Sequence, residues 1–176
     1  MNDTTTGTPA APRRASAARP KAPRVAAMTA AEVQAYVEAE FPQVIEEMGA
    51  LVVEEADAWH ARIRLPISRR HLRPGGTVSG PTQFFLADVA AFIAVLVVIG
   101  PIGLSVTTSA TINFLRKPDP ADLIAETRIL KRGKRLVVVD CIIRSEGAME
   151  PVAHAVLTYS IPEPHVSARR PAAEPA

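Results

Sequence analysis

Residues 80–99 read GPTQFFLADVAAFIAVLVVI, the most apolar stretch of this 176-residue chain. From Phe84 to Ile99 every position is apolar except Asp88, so a helix formed here must be buried on all sides. An ionised carboxylate in such a helix is costly unless it is paired, hydrogen-bonded or open to a water-filled site. Asp88 is therefore the first residue whose surroundings need an explanation.

A membrane span is one alternative for this stretch. A span needs about 20 apolar residues and tolerates a central acid poorly. The apolar run is shorter, contains Asp88 and ends at Gly100 and Pro101. The pattern instead favours the core helix of a domain, in which Asp88 either bonds a neighbouring group or acts as a catalytic acid.

The two ends of the chain differ from its middle in composition. Residues 1–27 are rich in Ala, Pro, Thr and Arg, and residues 165–176 have the same character, so we predict two disordered tails. The domain between them, residues 28–164, holds 13 basic and 16 acidic residues, although the whole chain carries a net charge of +2. The domain therefore lacks the excess of basic residues that is typical of nucleic-acid-binding proteins. Met28 would also serve as a shorter start.

Metal and redox sites are not indicated. Cys141 is the single cysteine, which excludes an intrachain disulfide and a cysteine-based zinc site. His60, His71 and His154 have no metal-ligand spacing and are interpreted as structural. No secretory signal is recognisable. We therefore expect a cytoplasmic protein that uses no metal and no cofactor of its own.

Hydrophobic periodicity predicts a helix, two strands, a loop, the long helix and then an antiparallel run of strands. The predicted strands are residues 51–55, 58–65, 106–115, 122–130, 135–144 and 152–161, with a loop at 66–79. The second strand alternates, so Trp59 and every second residue up to Leu65 are expected on its buried face. A sheet would cover one side of the long helix, and a second copy of the sheet would cover the rest.

The loop and the start of the long helix resemble the signature of hotdog-fold acyl-CoA thioesterases of the PaaI type. That signature is H-x-N-x-x-G-x-x-H-G-G, four residues, then L-x-D-x-A, and residues 71–90 read HLRPGGTVSGPTQFFLADVA. Residues 107–118, TTSATINFLRKP, resemble the family's next strand. The resemblance spans roughly residues 50–161. It implies an α+β hotdog fold, a curved antiparallel sheet wrapped around a long central apolar helix.

The resemblance also implies a catalytic site. Asp88 falls on the catalytic carboxylate, and Gly80 falls on the glycine whose N–H stabilises the oxyanion. Thr107 or Thr108 falls near a hydroxyl that some members use to orient the attacking water. A donor at a helix N-terminus suits the charge that a thioester carbonyl gains in its transition state. Whether Asp88 attacks the thioester directly or takes a proton from water stays open.

Three loop positions depart from the signature. Arg73 replaces the Asn, Ser79 replaces the His and Pro81 replaces the second Gly. Pro81 suits the first turn of a helix, where no N–H is needed, so the proposed oxyanion donor is preserved. Arg73 and Ser79 are expected to contact substrate. Alternatively, Arg73 pairs with Asp88, and the site binds without hydrolysing.

Further substrate contacts are expected outside the loop. Phe84, with the other phenylalanines of the helix, suggests an apolar or aromatic acyl pocket. Arg132 and Lys134 belong to a basic turn at residues 131–135 that is predicted to meet the phosphates of coenzyme A.

Helix geometry separates Gly80 from Asp88 by about 12 Å, so they cannot serve the same carbonyl. If both are catalytic, they come from different subunits, which predicts a homodimer or homotetramer. The leading function is hydrolysis of an acyl-CoA thioester at a subunit interface. A non-hydrolytic hotdog protein that binds an acyl-CoA or another acyl ligand is the alternative, and a structural dimerisation module is a third. No nucleic-acid or membrane partner is expected.

Overall fold

The computed structural model describes residues 25–162. Its helices are α1 (Ala30–Glu40), α2 (Pro42–Met48) and α3 (Gly80–Ile99). Its strands are β1 (Val52–Ala56), β2 (His60–Leu65), β3 (Leu72–Arg73), β4 (Thr77–Val78), β5 (Val106–Phe114), β6 (Leu123–Arg132), β7 (Leu136–Ser145) and β8 (Ala153–Ser160). The boundaries of the six longer strands agree with the sequence prediction to within a few residues.

Six strands form one antiparallel sheet in the order β1-β2-β6-β7-β8-β5. Helix α3 packs across β7, β6, β2, β8 and β5. Every residue from Val89 to Val98 is buried, as the all-round apolar pattern predicted. A single antiparallel sheet packed around one long central helix is the hotdog fold, so the predicted fold is confirmed.

The side of α3 that turns away from the sheet is covered within the same chain. Helix α1 packs there with Val33 and Val37 fully buried. Just before it, the Ala27 N–H donates to the Val97 carbonyl at 2.7 Å. Residues 89–98 of α3 therefore need no second copy to complete their burial, because α1 and its leading residues cover them. The first turns of α3 are partly exposed, with Phe84 at 41%, so a second copy over that part stays a prediction.

These contacts also begin slightly before the predicted domain start at residue 28, since Ala26 packs on the core. The rest of the predicted tails lies outside the described residues. Helix α3 is long and apolar enough to cross a membrane. However, 78% of its apolar stretch is buried inside the protein, as befits a core helix.

The start of β2 differs from the prediction. Ala61, Ile63 and Leu65 are fully buried, but Trp59 is 43% exposed. Trp59 belongs to the turn before the strand, where the Asp57 carboxylate accepts hydrogen bonds from its N–H at 2.7 Å and from the next N–H at 2.9 Å. The buried face of β2 therefore begins at Ala61, two residues later than the periodicity suggested.

The loop at 66–79 has more structure than predicted. It contains a short helical turn at Arg69–His71 and the small β3-β4 hairpin. His71 is buried, its Nδ1 accepts from the Ser68 N–H at 2.9 Å, and its Nε2–H donates to the Met48 carbonyl at 2.8 Å. These bonds confirm the structural role expected for His71, because they tie the loop to the end of α2 and so position the start of α3.

Candidate active site

Asp88 lies in the first half of α3 and faces the end of the sheet where β5 begins and β8 ends. Its Oδ1 accepts a hydrogen bond from the Thr107 Oγ1–H at 2.7 Å and lies 2.8 Å from the Tyr159 hydroxyl. The carboxylate also lines a cavity of about 360 Å³. Hydrogen bonding and access to a cavity therefore together explain how this acid is accommodated in an apolar helix.

A β-bulge decides which of the two threonines reaches Asp88. Thr107 pairs with Tyr159 and Ser109 pairs with Thr158, so Thr108 is an extra residue in β5. The bulge turns Thr107 toward α3 and turns Thr108 away from it. The Thr108 hydroxyl instead donates to the Thr158 carbonyl at 3.1 Å. Of the two threonines that the sequence left open, only Thr107 contacts Asp88.

Aromatic rings form much of the cavity wall. Phe85, Phe92 and Tyr159 line it beside Asp88, and Phe41 meets Phe92 edge to face at 5.9 Å between centroids. Ser105 adds a polar group: its Oγ is buried and makes no hydrogen bond within residues 25–162. The cavity therefore combines aromatic walls with the unused Ser105 hydroxyl and two carboxylates, those of Asp88 and Glu40.

Tyr159 is a site residue that was not predicted from the sequence. It is 3% exposed, and its pKa is raised by burial and by the negative charge of Asp88, so the hydroxyl keeps its proton as a donor. One signal was present in the sequence. Tyr159 falls on the inward face of an alternating strand, and a buried tyrosine hydroxyl usually finds a partner.

Gly80 is the first residue of α3, eight residues before Asp88. Ser79 is the N-cap of α3, and its Oγ accepts from the Thr82 N–H at 3.3 Å. The Gly80 N–H is one of the helix-start donors that have no partner inside the helix, and no hydrogen bond within residues 25–162 uses it. This leaves Gly80 with a free donor, as an oxyanion site requires.

A second cavity, of about 420 Å³, opens in front of Gly80. Three basic residues, Arg73, Arg116 and Lys117, line it together with the Phe114 ring. Neither Arg116 nor Lys117 was predicted to contact substrate. Gly80 and Asp88 line different cavities of the chain, in agreement with their predicted separation along the helix.

Arg73 and Asp88 do not pair within one chain, because the two residues line different cavities. A pairing between subunits stays a prediction. The Arg73 Nε–H donates instead to Thr77 Oγ1 at 3.0 Å across the β3-β4 hairpin. Within residues 25–162, Asp88 makes no ion pair. The carboxylate is thus held by neutral hydroxyls.

The remaining predicted contacts are dispersed. Phe84 is 41% exposed and lines neither cavity, whereas its neighbour Phe85 lines the one at Asp88. Arg132 ends β6, and Lys134 is exposed in the turn that follows. Their roles in binding substrate stay predictions.

Comparisons with known proteins assign the family. The sequence profile of the thioesterase superfamily matches residues 75–152. A protein of Saccharolobus solfataricus that is provisionally named an esterase is 31% identical over 108 residues, which cover 61% of this chain and 71% of that protein. This chain belongs to the thioesterase superfamily.

Solved structures agree with this assignment. A provisionally assigned thioesterase from Silicibacter sp. TM1040 is 42% identical, with a TM-score of 0.72 over 78% of this chain and 94% of its own. A thioesterase from Haemophilus influenzae is 18% identical, with a TM-score of 0.67 over 78% of this chain and 95% of its own, and shows the shared fold alone. Superfamily membership makes thioester hydrolysis the chemistry against which the Asp88 site should be tested.

Proposed function

We propose that this protein hydrolyses an acyl-CoA thioester, with Asp88 of one subunit and the Gly80 N–H of another acting on the same carbonyl. The observation that carries the proposal is the Asp88 carboxylate itself. Two hydroxyl donors hold its Oδ1 on the wall of an aromatic cavity, while no hydrogen bond within residues 25–162 reaches Oδ2. An ionised oxygen without a protein partner is available to a substrate or a water.

Two routes lead from this geometry to hydrolysis. In one, Asp88 takes a proton from a water whose oxygen attacks the thioester carbonyl carbon. In the other, Asp88 attacks that carbon itself and forms an anhydride, which water then cleaves. In both routes the carbonyl oxygen gains negative charge before the C–S bond breaks, and the released thiolate takes up a proton to become the thiol of coenzyme A.

The free Gly80 N–H supplies the donor that this oxygen needs. Strand β5 connects the two half-sites, because Thr107 lies at its start and Phe114 at its end, against Gly80. A β-strand at a sheet edge can pair with a second chain. Two-fold antiparallel pairing of β5 with its copy would set the start of one strand beside the end of the other.

That arrangement would bring the Asp88 cavity of one subunit next to the Gly80 cavity of its partner, twice in each dimer. We refer to each such pair of cavities as a composite site. The exposure of β5 along most of its length is consistent with an unfilled edge. The divided site and this edge both favour a dimer, whereas residues 89–98 of α3 are already buried within one chain.

Two basic clusters adjoin the composite site and are candidates for the coenzyme A phosphates. One is Arg116 with Lys117 in front of Gly80. The other is the predicted turn with Lys134. Val137 pairs with Tyr159, and Tyr159 pairs with Thr107. Because the turn directly precedes β7, it lies at the Asp88 end of the sheet.

Charge reversal separates the two clusters. If the phosphates bind in front of Gly80, Lys117→Glu raises KM and weakens the rise of KM with salt, because the attraction that salt screens is lost; Lys134→Glu then leaves both unchanged. The opposite result would assign the phosphates to the 131–135 turn. Equal KM values for both variants and the wild type would exclude both clusters.

The acyl group would lie in the aromatic cavity beside Asp88. Phe85 and Phe92 offer apolar contact area. Ser105 Oγ offers a hydrogen bond to a polar atom of the acyl group or to a water. A panel of short, medium-length and aromatic acyl-CoA thioesters would identify the preferred acyl class.

The first test compares the wild type with Asp88→Asn by release of free thiol. We expect the rate to fall by orders of magnitude, while thermal unfolding changes little because an amide oxygen can still accept from Thr107 and Tyr159. Equal rates in the two proteins would contradict the role of Asp88.

The divided site has its own test by subunit complementation. Gly80→Pro removes the N–H, and the extended backbone of Ser79 (φ −73°, ψ 155°) already suits a following proline. If the site is composite, mixing inactive Asp88→Asn and Gly80→Pro subunits with exchange restores one intact site in each heterodimer, about a quarter of wild-type activity in an equal mixture. No recovery in verified heterodimers would place both groups in one subunit or exclude one of them.

A non-hydrolytic acyl-binding protein is the second candidate. It is favoured by Arg73 and Ser79, since Ser79 caps α3 and Arg73 bonds Thr77, so neither reproduces a free amide or imidazole. Tight binding of an acyl-CoA without turnover would support this candidate.

A further inference from the structure

Tyr159 is fixed in place by the core of the domain. It lies on β8 between β7 and β5, and its ring packs against Phe92 with 6.3 Å between centroids. Its hydroxyl oxygen lies 2.8 Å from Asp88 Oδ1 and 2.8 Å from the Asp88 carbonyl oxygen. The ring therefore has little freedom, and its hydroxyl lies against Asp88 with the Thr107 side chain beside it.

The Tyr159 hydroxyl has a single proton to donate. Of its two acceptors, the ionised carboxylate oxygen forms the stronger hydrogen bond. Thr107 donates to the same Oδ1 from the edge strand. Two donors from neighbouring strands thus converge on one oxygen, whereas Oδ2 has no hydrogen-bond partner within residues 25–162.

We propose that Tyr159 is a positioning residue that holds Asp88 Oδ1, so that Oδ2 is the oxygen presented to the water or the thioester carbonyl. The inference rests on the proposed hydrolysis at Asp88. The terminal torsion of an aspartate is soft and roughly two-fold, so the helix alone does not fix which oxygen faces the cavity. A buried, immobile phenol fixes it more firmly than the exposed Thr107 does.

The direct test is Tyr159→Phe, which removes the hydroxyl and keeps the ring that packs on Phe92. We expect kcat to fall about 10- to 100-fold, the range for losing one hydrogen bond to a charged group, while KM changes less than about twofold.

Thr127→Val is the matched control. Thr127 is buried on β6, and its hydroxyl bonds the backbone of Ala61 at 3.0 and 3.2 Å, away from the Asp88 cavity. This variant also loses one buried hydroxyl from the sheet. It should lose thermal stability while keeping the wild-type kcat and KM.

The outcomes separate this inference from the proposed function. No turnover by the wild type would refute the proposed hydrolysis itself. Wild-type turnover with an unchanged kcat in Tyr159→Phe would overturn the role of Tyr159 alone. Equal losses of kcat in Tyr159→Phe and Thr127→Val would show that the loss comes from general destabilisation of the sheet, which would also overturn the positioning role.

A spectroscopic measurement covers the case in which Tyr159→Phe does not fold. The chain has two tyrosines, so a Tyr36→Phe protein grown on 3-fluorotyrosine carries fluorine only at Tyr159. We expect its ¹⁹F resonance to shift when Asp88→Asn is added, because the charged acceptor is lost. An unchanged resonance would show that the phenol does not bond the carboxylate and would overturn the inference.

Discussion

The β-bulge at Thr108 leads to a prediction that compares two adjacent threonines. Thr107→Val removes the donor that lies 2.7 Å from Asp88 Oδ1, whereas Thr108→Val removes a bond of 3.1 Å to a backbone carbonyl. The substitutions are the same in chemistry and shape. They differ only in which side of β5 each hydroxyl occupies.

The size of the two effects follows from the acceptors. A hydrogen bond to a charged group contributes about 1.5–3 kcal/mol, and Thr107 is exposed, so we take the low end, about 1.5 kcal/mol. That is close to a tenfold loss of kcat/KM. The exposed bond of Thr108 to a neutral carbonyl is readily replaced by water, so we expect a change of about twofold or less.

The assay is thiol release from a preferred acyl-CoA, with thermal unfolding of each variant to confirm an intact fold. A loss in Thr108→Val that equals or exceeds the loss in Thr107→Val would refute the reasoning. It would mean that the bulge does not turn Thr107 toward Asp88 in the working enzyme.

Three further predictions concern Gly80, alkaline stability and Cys141. Gly80→Pro should lower kcat by about 10²–10³-fold through loss of an oxyanion donor. Gly80→Ala keeps the N–H, its added methyl would meet the Phe114 ring at an ordinary 3.5 Å, and its kcat should fall far less. Equal kcat values in the two variants would exclude the Gly80 N–H as the oxyanion donor. Burial and the charge of Asp88 raise the pKa of Tyr159, so its contribution to stability is full below the pKa of the unfolded chain, near 10, and declines above it. Melting temperatures from pH 8 to 12 should therefore fall more steeply for the wild type than for Tyr159→Phe. Parallel curves would contradict this. Burial raises the pKa of Cys141 to about 12, so a disulfide reagent used to detect released thiol should not label the native protein, and rapid labelling before unfolding would show that Cys141 is accessible.

Much of the fold was predictable because it depends on local patterns. The all-round apolar run predicts that α3 is a core helix, and period-two alternation predicts the long strands. The misplacement of Trp59 shows where such patterns fail, since the hydrogen bonds that Asp57 makes, and not hydrophobicity, decide where β2 begins. The covering of α3 by α1 also escaped prediction, because it depends on how two helices distant in sequence pack.

By itself, the sequence determined that one acid, Asp88, lies within a buried helix and that a free N–H at Gly80 begins that helix about 12 Å away. Only the tertiary structure decided which side chains meet that acid. The register of β5 on β8 contains one extra residue, and a shift of one residue in a strand exchanges its two faces, so Thr107 reaches Asp88 and Thr108 does not. Tyr159 lies 71 positions from Asp88 along the chain, and packing of α3 against the sheet brings them together.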